Sequence, residues 1–192
     1  GDRMSGSPVT TYRAGIVGAS GTGKSTLLWA LCCALPCAVL FDPQRGHGIP
    51  PDGYRIRPRL GERSHDGDGR YFDDVNALAR LASTTGNCTL VLDEANTCVR
   101  RGQQAPPALT RILNEGRHLP EGAPTGVGAV ICARQPAELP VAWWSQVEHL
   151  FAFRLTNPRQ LEWARAMGLP HRALLRLPRG HFFHADLRAG AL

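Results

Sequence analysis

The stretch "GASGTGKST", residues 18–26, decides how the rest of the chain is read. It fits the spacing G-x-x-x-x-G-K-[ST], with Gly18, Gly23, Lys24 and Ser25 at the fixed positions. A loop of this kind wraps closely around a phosphate chain because few Cβ atoms stand in the way. Its backbone N–H groups turn inward toward the anion, and the helix that follows adds its positive N-terminal dipole. In such a loop the lysine reaches the β- and γ-phosphates and the hydroxyl after it ligates Mg²⁺. The candidate nucleotide contacts are therefore Gly18, Ser20, Gly21, Thr22, Gly23, Lys24, Ser25 and Thr26, with Ser25 also a metal ligand. The flanks agree with this reading. "YRAGIVG" before the loop reads as a short buried strand, and "KSTLLWALCCAL" after it reads as a helix.

Composition singles out the same lysine. The chain has 22 basic residues, and Lys24 is the only one that is not arginine. A compact ammonium fits between phosphates where a wide planar guanidinium does not. The 192 residues suit one domain, and the net charge of +6 makes a polyanionic partner plausible. The six cysteines form no C-x-x-C pair and lie mostly in apolar segments, which predicts reduced core residues rather than disulfides or a zinc site. The apolar run from Leu27 to Phe41 is too short to span a bilayer and is broken by Pro36. The histidines, His181 and His184 among them, lack metal-ligand spacing and read as structural.

Working outward, strand patterns at 12–17, 38–42, 88–92, 127–132 and 149–153 alternate with helix patterns at 24–34, 73–83, 106–117, 140–146 and 158–167. Such alternation predicts a parallel sheet with helices on both faces. Pro106 and Pro158 suit helix starts, and Gly168 suits a helix end. The closing stretch "LLRLPRGHFFHADL", 174–187, predicts a β-hairpin. Residues 43–70 are rich in Gly, Pro, Arg and Asp and predict one long loop, while 1–10 predict a flexible N-terminus.

A second carboxylate site separates hydrolysis from phosphoryl transfer. "CTLVLDEAN", 88–96, is a hydrophobic strand ending in Asp93–Glu94. At the C-terminal end of a parallel strand Asp93 reaches the Mg²⁺ shell beside Ser25, and Glu94 is left to polarise a water for in-line attack. A kinase must exclude that water. No N-K-x-D element is available to read guanine, since Lys24 is the sole lysine, and no L-S-G-G-Q-like element is present.

These motifs, with three further stretches, resemble the FtsK/HerA superfamily of ring-forming DNA-pumping ATPases. The likeness is greatest to the genome-packaging ATPases of tailless double-jelly-roll viruses and runs from Arg13 to Leu187. "VLFDPQRG" resembles the family's second strand, ending here in Asp42. "LNEGRHLPEGAPTGVGAVICARQPAELP", 113–140, resembles its arginine after glycine, glycine-rich strand entry, glutamine and proline. "LPRGHFFHADL" resembles its closing hairpin. The resemblance implies an α/β P-loop NTPase fold with a mostly parallel central sheet flanked by helices and a C-terminal β-hairpin, in a single domain over 1–192. It implies an ATPase with ATP and Mg²⁺ as cofactors, translocating double-stranded DNA into a capsid. The partners implied are double-stranded DNA, a homo-oligomeric ring (pentamer or hexamer) and a capsid vertex or membrane protein. The protein would be soluble, in the host cytoplasm or with the virion. Residue by residue, Gln135 matches the γ-phosphate sensor and Arg117 the arginine finger that acts in a neighbouring subunit. Arg111, about a turn and a half back along the helix, is the alternative finger. Arg134 stands before the glutamine where the family's arginine usually follows it, and so has no inherited role. Arg55, Arg57, Arg59 and Arg63 in or beside the long loop, with Arg100 and Arg101, are candidate phosphate contacts to DNA. The other readings are a conjugation, secretion or filamentous-phage assembly ATPase, a small nucleotide kinase, and a non-catalytic DNA-binding scaffold.

Overall fold

The structure is a computed structural model that describes residues 11–35, 37–43, 72–99, 104–121 and 126–189. Its centre is a six-stranded sheet in the order β2-β3-β4-β1-β5-β6. The strands are β1 (Arg13–Val17), β2 (Ala38–Phe41), β3 (Cys88–Leu92), β4 (Val127–Ala133), β5 (His149–Phe153) and β6 (Phe182–Asp186). β1 to β5 run parallel, and β6 pairs antiparallel with β5. Every residue of β1, β2, β3 and β4 is buried. That is the burial of a parallel sheet covered on both faces, and it explains why these strands read as continuous apolar runs.

One face is covered by α1 (Lys24–Ala34), whose Leu28 and Cys32 pack on Ile16, Leu40, Val130 and Phe153. The other face carries α2 (Phe72–Thr85), α3 (Pro107–Glu115), α4 (Val141–Trp144), α5 (Pro158–Ala166) and α6 (His171–Leu174). In α2 the buried residues are Val75, Leu78, Ala79 and Ala82, the i, i+3, i+4, i+7 stripe of a helix lying on a sheet. Cys32, Cys88, Cys98 and Cys132 are buried and all six cysteines are free, but Cys33 is exposed because it follows Cys32 round the helix and turns off the packed face.

Two sequence expectations change in detail. The helix expected over 106–117 ends at Glu115 and tightens into a 3₁₀ turn over Gly116–His118. The C-terminal hairpin expected inside 174–187 is not local. Its one strand, β6, takes β5 as partner, with Leu150 opposite Ala185 and Phe153 opposite Phe182. Of the residues meant for the other arm, Leu174 ends α6 with its side chain buried, and the chain then turns, with Leu177 partly buried against the same core. The stretch 43–70 lies outside the described residues beyond Pro43, as do residues 1–10.

The topology fixes where a ligand can sit. After β1 the chain crosses to β2, at the sheet edge beyond β4 and β3, whereas after β4 it crosses β1 to reach β5. Neighbouring strands whose connections leave in opposite directions open a crevice beyond their C-terminal ends, and that is where open α/β sheets bind ligands.

Candidate active site

The phosphate loop joins β1 to α1 in that crevice. Gly18 has φ 154 and Gly23 has φ 113. A Cβ on Gly18 would stand 2.6 Å from Cβ of Phe153, and one on Gly23 would stand 3.2 Å from a ring carbon of Phe153. Both the backbone turn and the close approach of β5 therefore require glycine. Thr22 Oγ1 donates to Ala19 O at 2.8 Å within the loop, and Ala19 N donates to Arg154 O at 2.8 Å, tying the loop to the end of β5. Gly23 caps α1 with no side-chain hydrogen bond. Ser20, Gly21, Ser25 and Thr26 are exposed along the mouth of the loop.

Lys24 is only 6% exposed, and its Nζ donates to Ala19 O at 2.9 Å. An ammonium has three donors, so one backbone bond does not exhaust it. Burial pushes its pKa below the ordinary lysine value, against the pull of Cys132, Glu94 and Asp93 and with the push of Arg134. Lys24 is thus a desolvated cation that an incoming polyanion would stabilise.

Asp93 follows β3, 5% exposed, with its backbone N–H bonded to Phe41 O at 2.9 Å. The Cys132 thiol hydrogen-bonds to it, and burial followed by the Asp93 charge holds that thiol well above its usual pKa. Cys132 is therefore a neutral donor to the carboxylate. Asp42, at the end of β2, is buried in the neighbouring position. Among the described residues no group of three His, Cys, Asp or Glu side chains could cage a metal ion. A cation here would be held by the Ser25 hydroxyl and the Asp93 carboxylate with the rest of its shell from phosphate and water. That hard-oxygen, part-protein donor set fits Mg²⁺.

Glu94 has φ 57 and ψ 50, a left-handed conformation unusual for a residue with a Cβ. It reverses the chain directly after β3, and Thr97 secures the reversal by donating both N–H and Oγ1 to Glu94 O at 2.8 Å. Non-glycine residues in this region cluster where function demands it.

The end of β4 completes the site. β4 lies between β1 and β3, so the residues after it fall between the phosphate loop and Glu94. Arg134 Nε donates to Glu94 Oε1 at 2.7 Å. Asn96 pins the same loop: its Oδ1 accepts from Arg134 N and Gln135 N, each at 3.1 Å, and its Nδ2 donates to Gln135 O at 2.9 Å. Gln135 itself is exposed. Asn96 was not singled out by sequence reasoning. Its position three residues after Asp93, in "DEAN", is the one signal that could have found it.

Arg117 is elsewhere. It lies before β4, at the N-terminal end of the sheet, ion-paired with Glu148, which precedes β5. β4 spans seven residues, so about 20 Å of strand separates Arg117 from the site on its own chain. Arg111 is exposed on α3, bonded to Glu115 at 3.1 Å and Glu121 at 2.6 Å. The structure thus brings together Lys24, Asp93, Glu94 and the loop of Gln135, and leaves both candidate fingers outside. Arg55, Arg57, Arg59, Arg63, Arg100 and Arg101 lie outside the described residues. His181 and His184 join no metal cluster among them: His184 stacks on Phe151 with ring centroids 4.7 Å apart, and His181 Nδ1 lies 3.2 Å from Arg179 O. No described helix is long and apolar enough to cross a membrane.

No protein-family model and no curated protein matches this sequence. Solved structures do match. The genome packaging NTPase B204 from Sulfolobus turreted icosahedral virus 2, in complex with sulfate, is similar with a TM-score of 0.71 over 94% of this chain and 93% of that one, at 17% identity. B204, the DNA-packaging ATPase from Sulfolobus turreted icosahedral virus, gives a TM-score of 0.65 over 95% of this chain and 96% of that one, at 15% identity. The pCW3 conjugation coupling protein TcpA, as a monomer with ATPgS, gives 0.52 over 93% of this chain but 58% of that one, at 17% identity. At these identities the likeness is one of fold. The α/β P-loop NTPase fold implied by the sequence resemblance is the fold found, and it is shared with the viral packaging NTPases along nearly the whole chain.

Proposed function

We propose that this protein is a Mg²⁺-dependent ATPase that drives double-stranded DNA into a viral capsid. The observation that carries this reading is the convergence of a buried lysine and an Asp–Glu pair at one crevice, in a chain of which 94% aligns with a packaging NTPase structure. The loop of Gly18, Ser20, Gly21, Thr22, Gly23, Lys24, Ser25 and Thr26 binds the triphosphate. Ser25 and Asp93 would hold Mg²⁺, which would supply positive charge against the charge that develops on the phosphates. Lys24 bears on the β- and γ-phosphates. Glu94 takes the proton of the attacking water, and Arg134 orients that carboxylate through its bond to one of the two oxygens. Gln135, held by Asn96, senses the γ-phosphate.

The neighbouring subunit completes the site with Arg117. A cation supplied from outside makes hydrolysis depend on assembly, and a head-to-tail contact that closes makes a ring. Five or six subunits would encircle the DNA, and the arginine-rich loops would track its phosphates. The packaging reading stands ahead of a conjugation ATPase because this chain superposes on the packaging NTPase with a TM-score of 0.71, against 0.52 on TcpA.

The test is ATP turnover with and without double-stranded DNA, measured together with oligomer mass. Turnover stimulated by DNA in an assembled species is expected. Turnover that requires a small-molecule acceptor would make the protein a kinase, and none under any condition would make it a scaffold.

A further inference from the structure

Two cysteines meet at the N-terminal ends of β2 and β3. Ala38 stands opposite Thr89 in the parallel ladder, so the residues one step back, Cys37 and Cys88, are neighbours across the same two strands. Thr89 N donates to Cys37 O at 2.9 Å, which carries the ladder up to this pair. Side chains alternate between faces along a strand, so these two share one face, and both pack into the core cluster that holds Ala79 and Ala82 of α2. The two side chains hydrogen-bond to each other. Neighbouring strands lie about 4.8 Å apart, within the roughly 4.4–6.8 Å between Cα atoms that a disulfide spans. The pair has no C-x-x-C spacing and exists only through strand register.

The two thiols differ in access. Cys88 is fully buried, whereas Cys37 is partly exposed. Burial, and then the neighbouring Cys37, pushes the Cys88 thiol up to about 12. The thiolate is the nucleophile, so Cys88 is a poor first attacker, and an oxidant arriving from solvent meets Cys37 first. Cys88 can also give up its present backbone partner at little cost. Its Sγ donates to Ala82 O at 3.5 Å, and that carbonyl keeps a second donor, Gly86 N, at 3.0 Å. Loss of the S–H therefore orphans no buried carbonyl.

We propose that Cys37 and Cys88 form a redox-active dithiol that a hydroperoxide converts to one cross-strand disulfide, with Cys37 oxidised first and Cys88 closing the bond. The Cys37 sulfur attacks the O–O bond of hydrogen peroxide and becomes a sulfenic acid, and the other oxygen leaves as water. The Cys88 sulfur then displaces the sulfenic hydroxyl, which takes the Cys88 proton and leaves as a second water. Peroxide gains two electrons, and the two sulfurs supply them. The bridge closes a loop of chain that contains residues 43–70. A cross-link of that kind stabilises mainly by restricting the unfolded chain.

The experiment treats the folded full-length protein with hydrogen peroxide, blocks the remaining thiols with iodoacetamide in denaturant, and maps disulfides by mass spectrometry without reductant. One linked peptide, Cys37 to Cys88, is expected, and dithiothreitol should reverse it. In Cys37→Ser no link should form and Cys88 should be recovered as a blocked thiol; Cys37→Ala repeats that control without a hydroxyl beside Cys88. Linking should raise the melting temperature of the wild type by about 5–15 °C, and peroxide should not raise that of Cys37→Ser. Cys37 carried on to sulfinic acid while Cys88 stays a thiol would show that the two do not couple, and would overturn the proposal. So would a link from Cys37 to Cys33 in its place, or a Cys37–Cys88 link that forms only in denaturant. A melting temperature unchanged or lowered by the link would mean that the bridge forms against the fold, which overturns it too.

Discussion

At the C-terminal ends of the strands, Lys24 and Asp93 are each about 5% exposed and share their surroundings with Glu94, Arg134 and Cys132. At the N-terminal ends, Arg117 is 55% exposed, with Glu148 as its ion-pair partner and the buried Arg13 close enough for the two like charges to oppose each other. The first group is assembled by the fold and desolvated by it, so its charges act strongly on whatever enters. In the second, a half-exposed Arg117 holds a Glu148 side chain that is only 12% exposed, so solvent screens the pair from the arginine side alone. On the proposed reading the chemistry belongs at the first end, and Arg117 would serve a site only in a different chain.

The largest effect that would test this contrast is Lys24→Ala. It removes the sole lysine, and ATP hydrolysis should fall to background in a steady-state phosphate-release assay. Near-normal turnover would break the assignment of the C-terminal end.

Arg117→Ala tests the other end. ATP binding should stay normal while turnover drops by about 10³–10⁵-fold. Mixing Arg117→Ala with Lys24→Ala, after confirming that both assemble and exchange, should restore part of the activity, because some interfaces then pair an intact site with an intact finger. No recovery at any ratio would make Arg117 structural, and recovery with Arg111→Ala instead would move the finger to α3.

Glu94→Gln should bind ATP as the wild type does and turn it over about 10²–10⁴-fold more slowly, the usual worth of a general base. If binding and turnover fall together in equilibrium and single-turnover measurements, Glu94 belongs to the metal shell or to the turn after β3.

The smallest effect is expected from Asn96→Ala. It deletes three hydrogen bonds that position the Arg134–Gln135 loop without touching substrate. Misplacing a positioned group by about 1 Å can cost up to about 100-fold. A loss of about 10- to 100-fold in kcat with KM for ATP little changed would sharpen the role of Gln135. Unchanged kcat would leave Asn96 as a stabiliser of the loop alone.

What the sequence by itself determined was whatever depends on near neighbours along the chain. The phosphate loop is one continuous turn, so its spacing alone specifies it, and α1 begins and ends where the sequence predicts, at Lys24 and Ala34. β3 and β5 also match their expected limits, because each is a short apolar run between chain breakers. The Asp93–Glu94 pair was legible for the same reason. What only the tertiary structure decided involves partners far apart in sequence. Arg134 meets Glu94 because β4 is inserted between β1 and β3, and strand order leaves no local trace in the residues. Phe182 comes to the phosphate loop because β6 takes β5 as partner rather than forming a hairpin of its own. Side-chain periodicity reports which face of an element is buried, but not which element buries it. The loop between β1 and α1 was therefore readable in nine consecutive residues, while the groups that bond to Glu94 and line the cavity beside that loop were set by the packing of the sheet.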